Sequence, residues 1–223
     1  MNTLSLLSAN GTRATRDPDH AAVWPVAASA QLKVLISGGF SGAYEQLLPG
    51  FKQTSGIAAN RIGAGTDVDL ARVAVGVAVR VGAPKPNVST VGLFKKVLLQ
   101  AKTVSVPGST SGIWVTTVLF PRLGLAEKIS VKVTPRGNGA AALVASGDAD
   151  IAVLPVSEIL YAPGVDLAGA IAPEIQFIQT FAAAVVAGST KIQEARRLIE
   201  FLSSERASEA IRNSGMEPLA TAR

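Results

Sequence analysis

The 223-residue sequence has no cysteine and only one histidine, His20. Without thiols the chain can form neither a disulfide nor a thiolate metal site. Because His20 lies in a polar N-terminal stretch, we also exclude histidine-based triads and multi-histidine metal centres, and we predict no catalytic residue, metal or cofactor. Aromatic residues make up 5% of the chain and charged residues 17%, whereas 48% is hydrophobic. This composition is typical of a globular α/β protein, and no apolar run is long enough to span a bilayer.

The positive charge is scattered along the chain. The net charge is +5, yet the only adjacent cations are Lys95-Lys96 and Arg196-Arg197, each within a pattern typical of an amphipathic helix. No lysine or arginine occurs from 137 to 190. Solvated helix faces therefore explain the cations better than a phosphate-binding stripe, and we predict no nucleic-acid partner. The charge balance fits mild attraction of a small anion.

The stretch ISGGFSGAYEQLLPGF joins a predicted strand to a predicted helix. Leu32 to Ile36 is a short apolar run, and apolar residues then recur at helical spacing from Tyr44 to Phe51. Ser41 is the predicted N-cap, and Gly56 the predicted stop. The glycines lie on a strand-to-helix turn, where free backbone N–H groups and the helix dipole favour an anion. The same residues also fit a plain tight turn, so both interpretations stay open here.

Alternating strand and helix patterns follow along the rest of the chain. Val73, Val75, Val77, Val79 and Val81 predict one face of a strand. Further patterns predict a helix capped by Ser89 or Thr90, a strand at 103–106 and a helix from about Ile113 that ends at Gly124. The alternation predicts a mainly parallel α/β architecture.

A second small polar turn resembles the first. Ser109-Thr110-Ser111-Gly112 also follows a predicted strand and opens a predicted helix. In a doubly wound sheet such turns lie at the carboxyl ends of the strands, where ligands bind. Two turns rich in serine, with N–H groups to offer and no acid or histidine beside them, suit oxyanion binding better than catalysis.

Several stretches together resemble a known family, the periplasmic substrate-binding proteins of molybdate ABC transporters. The resemblance runs in order from Leu32 to Pro218 and includes LKVLISGGFSGAYEQLLPGFKQTSGI, GVAVRVGAPKPNVSTVGLFKKVLLQAKTVSV, STSGIWVTTVLFPRLGL, GDADIAVLPVSEIL and EARRLIEFLSSERASEAIRNSGMEP. It implies a two-lobed type II periplasmic-binding fold, with lobe I at 31–70 and 187–223, lobe II at 82–181 and crossing hinge strands at 71–81 and 182–186. It further implies a periplasmic monomer that holds a small oxyanion or organic anion between the lobes and delivers it to an ABC transporter permease.

The N-terminal segment 1–30 fits export. Its apolar part ends in Ala28-Ser29-Ala30, an A-x-A cleavage pattern, although Arg13, Arg16, Asp17 and Asp19 upstream are atypical of a leader. We therefore predict a signal segment in 1–30.

The sequence departs from the family pattern at two places. Gly39 stands where molybdate-binding members place a serine. Between Ile57 and Thr66 the family carries a further strand–helix–strand–helix stretch, whereas Ala58 to Gly65 leaves room for only a loop. We therefore expect an incomplete first lobe, with its opening strand short of neighbours.

The resemblance and the two turns together define the candidate ligand-binding residues. The predicted set is Ser37, Gly38, Gly39, Ser41, Thr110, Ser111, Gly112, Pro155 and Ser157. The Ser111 N–H is the best-supported donor, although an N-cap without a ligand would look the same. Tyr44 and Trp114 are predicted core residues, and Asp148 and Asp150 resemble a metal pair only superficially.

Two alternatives to ligand delivery stay open. Glu158 fits either a buried acid facing the cleft or a first-turn acid favoured by the helix dipole. In the first case the chain could be an isomerase of a small di- or tricarboxylate, with Glu158 or Tyr161 as the base. The expected gap in the first lobe also allows a degenerate family member that binds nothing.

Overall fold

A computed structural model of the protein describes residues 31–34, 38–55, 58–61, 68–135, 139–185 and 189–219. The predicted leader 1–30, the helix stop Gly56 and the site residue Ser37 lie outside these ranges. The strands are β1 Gln31–Val34, β2 Ala58–Arg61, β3 Val68–Arg80, β4 Val104–Pro107, β5 Val131–Thr134, β6 Ile151–Pro155, β7 Val165–Ala170, β8 Ile178–Ala183 and β9 Glu217–Pro218. The helices are α1 Ser41–Ser55, α2 Val91–Gln100, α3 Thr110–Trp114, α4 Phe120–Arg122, α5 Gly139–Ser146, α6 Val156–Leu160, α7 Ile192–Leu202 and α8 Glu205–Asn213.

The long strand β3 belongs to both halves of the molecule. Its first part pairs with β8, from Val68 opposite Ala183 to Ala74 opposite Ile178, and with β9. Its second part pairs with β6 and β7, starting where Val75 lies opposite Pro155. All four of these pairings are antiparallel, whereas β4 pairs parallel with β5 and β6. The prediction of a mainly parallel sheet is therefore wrong, because β3 crosses between the lobes and its partners return against it.

Each half has its own apolar core, which gives the two-lobed arrangement. One core packs α2 and α3 against β3, β4 and β6, with Phe94, Leu98 and Leu119 fully buried. The other packs α1, α7 and α8 against the first part of β3, with Tyr44, Phe51 and Ile211 buried.

The valine alternation in β3 predicts only part of its burial. Val73, Val75, Val77 and Val79 are buried as expected, but Gly76 and Ala78 on the opposite face are buried too, since helices cover both faces there. Val81 is 61% exposed because it lies in the turn after the strand. The predicted strand face thus ends at Val79, two residues earlier than the alternation indicates.

The first lobe contains a βαβ unit that the sequence did not reveal. β1 and β2 pair in parallel, from Gln31 opposite Ala58 to Val34 opposite Arg61, and α1 is the crossover between them. The expectation of only a loop from Ala58 to Gly65 is therefore wrong, since four extended residues suffice to extend a sheet once α1 has made the crossover. Within the described residues β2 is the only neighbour of β1. Among the described residues this lobe thus has a two-stranded ladder, β1 and β2, that does not pair with β3.

Helix boundaries mostly follow the predicted signals. Thr90, rather than Ser89, caps α2, because its hydroxyl accepts a hydrogen bond of 3.2 Å from the Leu93 N–H. The helix expected from Ile113 starts three residues earlier, at Thr110, and passes through a π-helical turn, Val115–Leu119, before α4. Gly124 then ends it with a φ of 66°, a conformation that glycine adopts without steric cost. Ser41 is the first residue of α1 rather than its cap, since a 3-10 turn, Gly38–Phe40, precedes the helix.

Candidate functional site

The second polar turn and the turn after β6 lie at one edge of the sheet. β4 and β6 are parallel neighbours, with Val104 opposite Ile151, so their carboxyl ends lie side by side. α3 begins after a two-residue turn that follows β4, and it contacts β6, while α6 begins directly after β6. The predicted residues Thr110, Ser111, Gly112, Pro155 and Ser157 are therefore brought to the same edge.

The start of α3 is packed tightly against β4. A Cβ on Gly112 would lie 2.8 Å from the carbonyl carbon of Pro107 and closer still to its oxygen. Ser111 is fully buried, and its hydroxyl lies 3.4 Å from that of Ser109, whereas Thr110 is exposed. The glycine at 112 thus has a packing reason that is independent of any ligand.

The first polar turn meets α6 from the other lobe. Gly39 is buried, and a Cβ there would lie 2.5 Å from Cζ of Phe181 and 3.4 Å from Oε1 of Glu158. Gly42 lies against the ring of Tyr161, whose hydroxyl accepts a hydrogen bond from the Gln46 side chain. Gly38 belongs to the same turn, and Ser41 is half-buried behind it. The structure therefore joins the predicted turn to Glu158, a residue outside the predicted ligand set.

Glu158 is the most perturbed ionisable group of this edge. It lies in the first turn of α6 and is partly buried, and burial raises its pKa from 4.5 to about 7. It makes no hydrogen bond or ion pair with any residue that the structure describes. Glu158 thus has features of both interpretations, since it is a first-turn acid of α6 and is also partly buried, so that desolvation outweighs the favourable helix dipole. That it faces the ligand cleft stays a prediction.

Two neighbours of Glu158 complete this part of the edge. Ser157 is 4% exposed, and its hydroxyl has no partner among the described residues. Pro155 is buried and carries no N–H, so it shapes the turn into α6 and cannot donate to a ligand through its backbone.

The sheet edge is connected to the crossing strand by two contacts that the sequence did not reveal. The Gln176 side chain accepts a hydrogen bond of 2.7 Å from the Val75 N–H and donates one of 3.0 Å to the Val75 carbonyl. The next residue, Phe177, stacks on Trp114 of α3 at a centroid distance of 5.0 Å. Trp114 is half-buried in this stack and Tyr44 is buried in the first lobe, which confirms both as packing residues.

The aspartates that resemble a metal pair have local structural partners. Asp148 accepts a hydrogen bond from the Ser146 hydroxyl, and Asp150 accepts one from the Thr103 N–H at the start of β4. Within the described ranges no group of three or more His, Cys, Asp or Glu side chains is placed to hold a metal ion. No helix of the described part is long and apolar enough to cross a membrane.

Comparison with protein families and curated sequences gives two matches. A family model described as "Bacterial extracellular solute-binding protein" matches residues 55–217. An aconitate isomerase from Pseudomonas sp is 33% identical over 164 residues, which cover 73% of this chain and 63% of that enzyme. The chain thus aligns with less than two thirds of the enzyme's length.

Solved structures give the same architecture. The periplasmic molybdate-binding protein of Azotobacter vinelandii has a TM-score of 0.52 and 15% identity, over 83% of this chain and 98% of that one. The sulfate-binding protein SubI of Mycobacterium tuberculosis has a TM-score of 0.64 and 16% identity, over 86% and 88%. At these identities the likeness establishes the fold alone. It confirms the predicted two-lobed type II periplasmic-binding architecture.

Proposed function

Because the chain belongs to the family of bacterial extracellular solute-binding proteins, we propose that it binds a small anion between its two lobes. In this proposal the protein works in the periplasm and delivers the anion to the permease of an ABC importer. The observation that carries it is the meeting of the first polar turn with α6 at the sheet edge where α3 also begins. A ligand held there would contact both lobes.

The hydrogen-bond donors in this proposal are uncharged. The segment 137–190, which supplies α6, β7 and β8, has no lysine or arginine. The first N–H groups of a helix have no partner within the helix and point toward its start, where they can hold an anion. The N–H groups of the turn 38–40 and of Ser111, with the buried hydroxyls of Ser111 and Ser157, are the donors in this proposal. Lobe closure would strengthen these hydrogen bonds by excluding water.

Titration calorimetry against a broad anion panel tests the proposal. The panel contains molybdate, tungstate, sulfate, succinate and tricarballylate. We expect at least one to bind and Ser111→Ala to weaken it roughly tenfold, since a hydrogen bond to a charged ligand is lost. Thr117→Ala is the matched control, because Thr117 is exposed and its hydroxyl bonds to the Ile113 carbonyl. Failure of every anion to bind would refute the proposal and favour the degenerate, non-binding alternative.

A second candidate function is isomerisation of a small di- or tricarboxylate. It is favoured by Glu158, whose pKa of about 7 suits proton transfer near neutral pH. The relative named aconitate isomerase also supports it. In this reaction the Glu158 carboxylate removes a proton from the methylene carbon beside the double bond. The electron pair of that C–H bond forms the new double bond, and the old one accepts the proton from Glu158 at its far carbon.

Turnover measurements separate this candidate from simple binding. We expect Glu158→Gln to abolish isomerisation of aconitate, and wild-type kcat/KM to rise with pH through about 7 as the base ionises. The exposed Glu127→Gln is the matched control. If the wild type binds aconitate without converting it, the second candidate is wrong. Turnover that persists in Glu158→Gln would exclude Glu158 as the base and leave Tyr161 to be tested by Tyr161→Phe.

A further inference from the structure

Two side chains form a wall beside the first polar turn, the phenyl ring of Phe181 and the carboxyl of Glu158. The edge of the Phe181 ring fills the space where a side chain on Gly39 would lie, and Phe181 is buried against Phe40 at a ring-centroid distance of 6.1 Å. The Glu158 carboxyl oxygen stands next to it, 3.4 Å from the same point. Neither a phenyl ring nor an ionised carboxylate can donate a hydrogen bond to an anion.

This wall fits a tetrahedral inorganic oxyanion poorly. Such an ion presents oxygens in every direction, and each oxygen that leaves water needs a donor to replace its hydration. An ionised Glu158 would repel an inorganic and an organic anion alike, so the difference between the two ligand classes lies in the phenyl ring. An organic acid differs in having carbon atoms, which pack favourably against a phenyl ring.

The Glu158 carboxyl also lacks a hydrogen-bond partner within the described residues. It is partly buried and has no ion-pair partner among them either. A buried carboxyl without a partner is stabilised by keeping its proton, and a protonated carboxyl is a donor. Its best acceptor is a charged carboxylate, because hydrogen bonds to an ionised partner are about twice as strong as neutral ones.

We propose that the site takes a small organic di- or tricarboxylate, one carboxylate of which shares the proton of Glu158 while its carbon chain packs on Phe181. This inference rests on the proposed anion-binding function, not on the isomerisation candidate, which needs Glu158 ionised, and it names the ligand class. The remaining carboxylates would be held by the N–H groups of the turn 38–40 and of α3. Binding therefore fixes one proton on Glu158, and a fully ionised ligand binds with net proton uptake at pH values where free Glu158 is ionised.

We assign the bound proton to Glu158 after considering the other ionisable groups on the elements packed against α6. The 3-10 turn 38–40, β6 and β8 carry none, and Tyr161, just after α6, bonds to Gln46. Asp166 of β7 lies 3.9 Å from Lys85, and Arg72 of β3 pairs with Glu217. The other ionisable groups on the elements packed against α6 are Glu45 and Lys52 of α1 and Asp69 and Arg80 of β3. Burial alone is the cause that raises the pKa of Glu158, to about 7.

Calorimetry in two buffers of different ionisation enthalpy tests the inference. At pH 8 we expect tricarballylate or trans-aconitate to bind with uptake of close to one proton, and affinity to fall about tenfold per pH unit above about 7. Glu158→Gln should abolish both the proton uptake and the pH dependence, because an amide donates without titrating. Glu158→Leu should weaken binding at least tenfold at pH 6, where Glu158 of the wild type is protonated and donates. Glu127→Gln, an exposed acid given the same change, should leave affinity and proton count as in the wild type.

The outcomes separate the ligand class from the function itself. Tighter binding of molybdate or sulfate than of any carboxylate would overturn the inference and leave the anion-binding function standing. Carboxylate binding without proton uptake, or with unchanged affinity in Glu158→Leu, would overturn it as well. Binding of no anion by a chain that retains its wild-type circular dichroism would refute both.

Discussion

Replacing Gly112 by alanine isolates the packing that fixes α3 against β4. The added Cβ would lie 2.8 Å from the carbonyl carbon of Pro107 and 3.1 Å from its nitrogen, and both are backbone atoms that no rotamer change can move. Helix and strand must separate by roughly 1–2 Å to restore an ordinary contact of about 3.5 Å. Pro107 is a buried strand residue and Ser111 is buried beside the glycine, so this separation disturbs the core.

The expected cost lies at the upper end of what overpacking produces. We expect Gly112→Ala to lower the free energy of unfolding by about 3 kcal/mol. In a chain of this size that corresponds to a fall in Tm of roughly 6–12 °C. Urea and thermal unfolding followed by far-UV circular dichroism measure both quantities.

Gly92→Ala provides the matched comparison. Gly92 also lies in the first turn of a helix, α2, but a Cβ there would meet nothing within 4 Å. We expect this variant to gain about 0.4–1 kcal/mol, because alanine restricts the unfolded chain more than glycine does. If Gly112→Ala is as stable as Gly92→Ala, the close approach of α3 to β4 is not a property of the protein in solution and the packing argument fails.

Three further predictions concern Glu158, Gln176 and β1. Because its folded pKa of about 7 lies above the ordinary 4.5, Glu158 should reduce stability by up to about 3 kcal/mol as pH rises from 4.5 to beyond 7, and urea unfolding of Glu158→Gln at pH 5 and 8 should lack that decline. An equal decline in wild type and variant would contradict this. Gln176→Leu should cost about 1–3 kcal/mol in urea unfolding. The Val75 N–H then loses its partner, whereas the Val75 carbonyl still accepts from the Ile171 N–H. Gln179→Leu should cost little, because the Gln179 side-chain oxygen has no partner among the described residues, and equal losses would contradict a role of Gln176 in holding Val75. Hydrogen exchange should be fast at Val34, in a two-stranded ladder, and slow at Val104 and Val153, in strands paired on both sides; slow exchange at Val34 would show that the first lobe is closed in another way.

Elements with strong local signals could be predicted from the sequence, and elements defined by distant partners could not. The valine alternation correctly predicted β3. Thr90 and Gly124 correctly indicated the start of α2 and the end of the helical segment that follows β4. β9 has only two residues, and β2 reads AANR, so neither carries a periodic pattern. Strand direction is also a long-range property, which is why alternating helices and strands wrongly indicated a mainly parallel sheet.

The candidate site divides in the same way. Both polar turns could be found from their residue types and positions, although their ligand contacts remain predictions. The burial of Glu158 could not be found, since SEIL reads equally as an ordinary first turn with a solvated acid. Its environment comes from Gly39 and Phe181, which are more than 20 residues away along the chain in either direction. The sequence contains both the acid, Glu158, and the small-residue turn 38–40. Their contact could not be predicted, because only the fold brings them together.

The pairing of β3 indicates where the predicted hinge strand would bend. β3 changes partners between Ala74, which lies opposite Ile178, and Val75, which lies opposite Pro155. At that step Gln176 replaces the missing ladder hydrogen bonds with its side chain, and Phe177 stacks on Trp114 at the end of α3. A side-chain amide can follow a change in backbone angle that a continuous ladder would resist, because its own torsions absorb the rotation. We therefore expect any relative motion of the lobes to bend β3 at 74–75, and a shift of α3 on ligand binding to reach that point through Trp114 and Phe177.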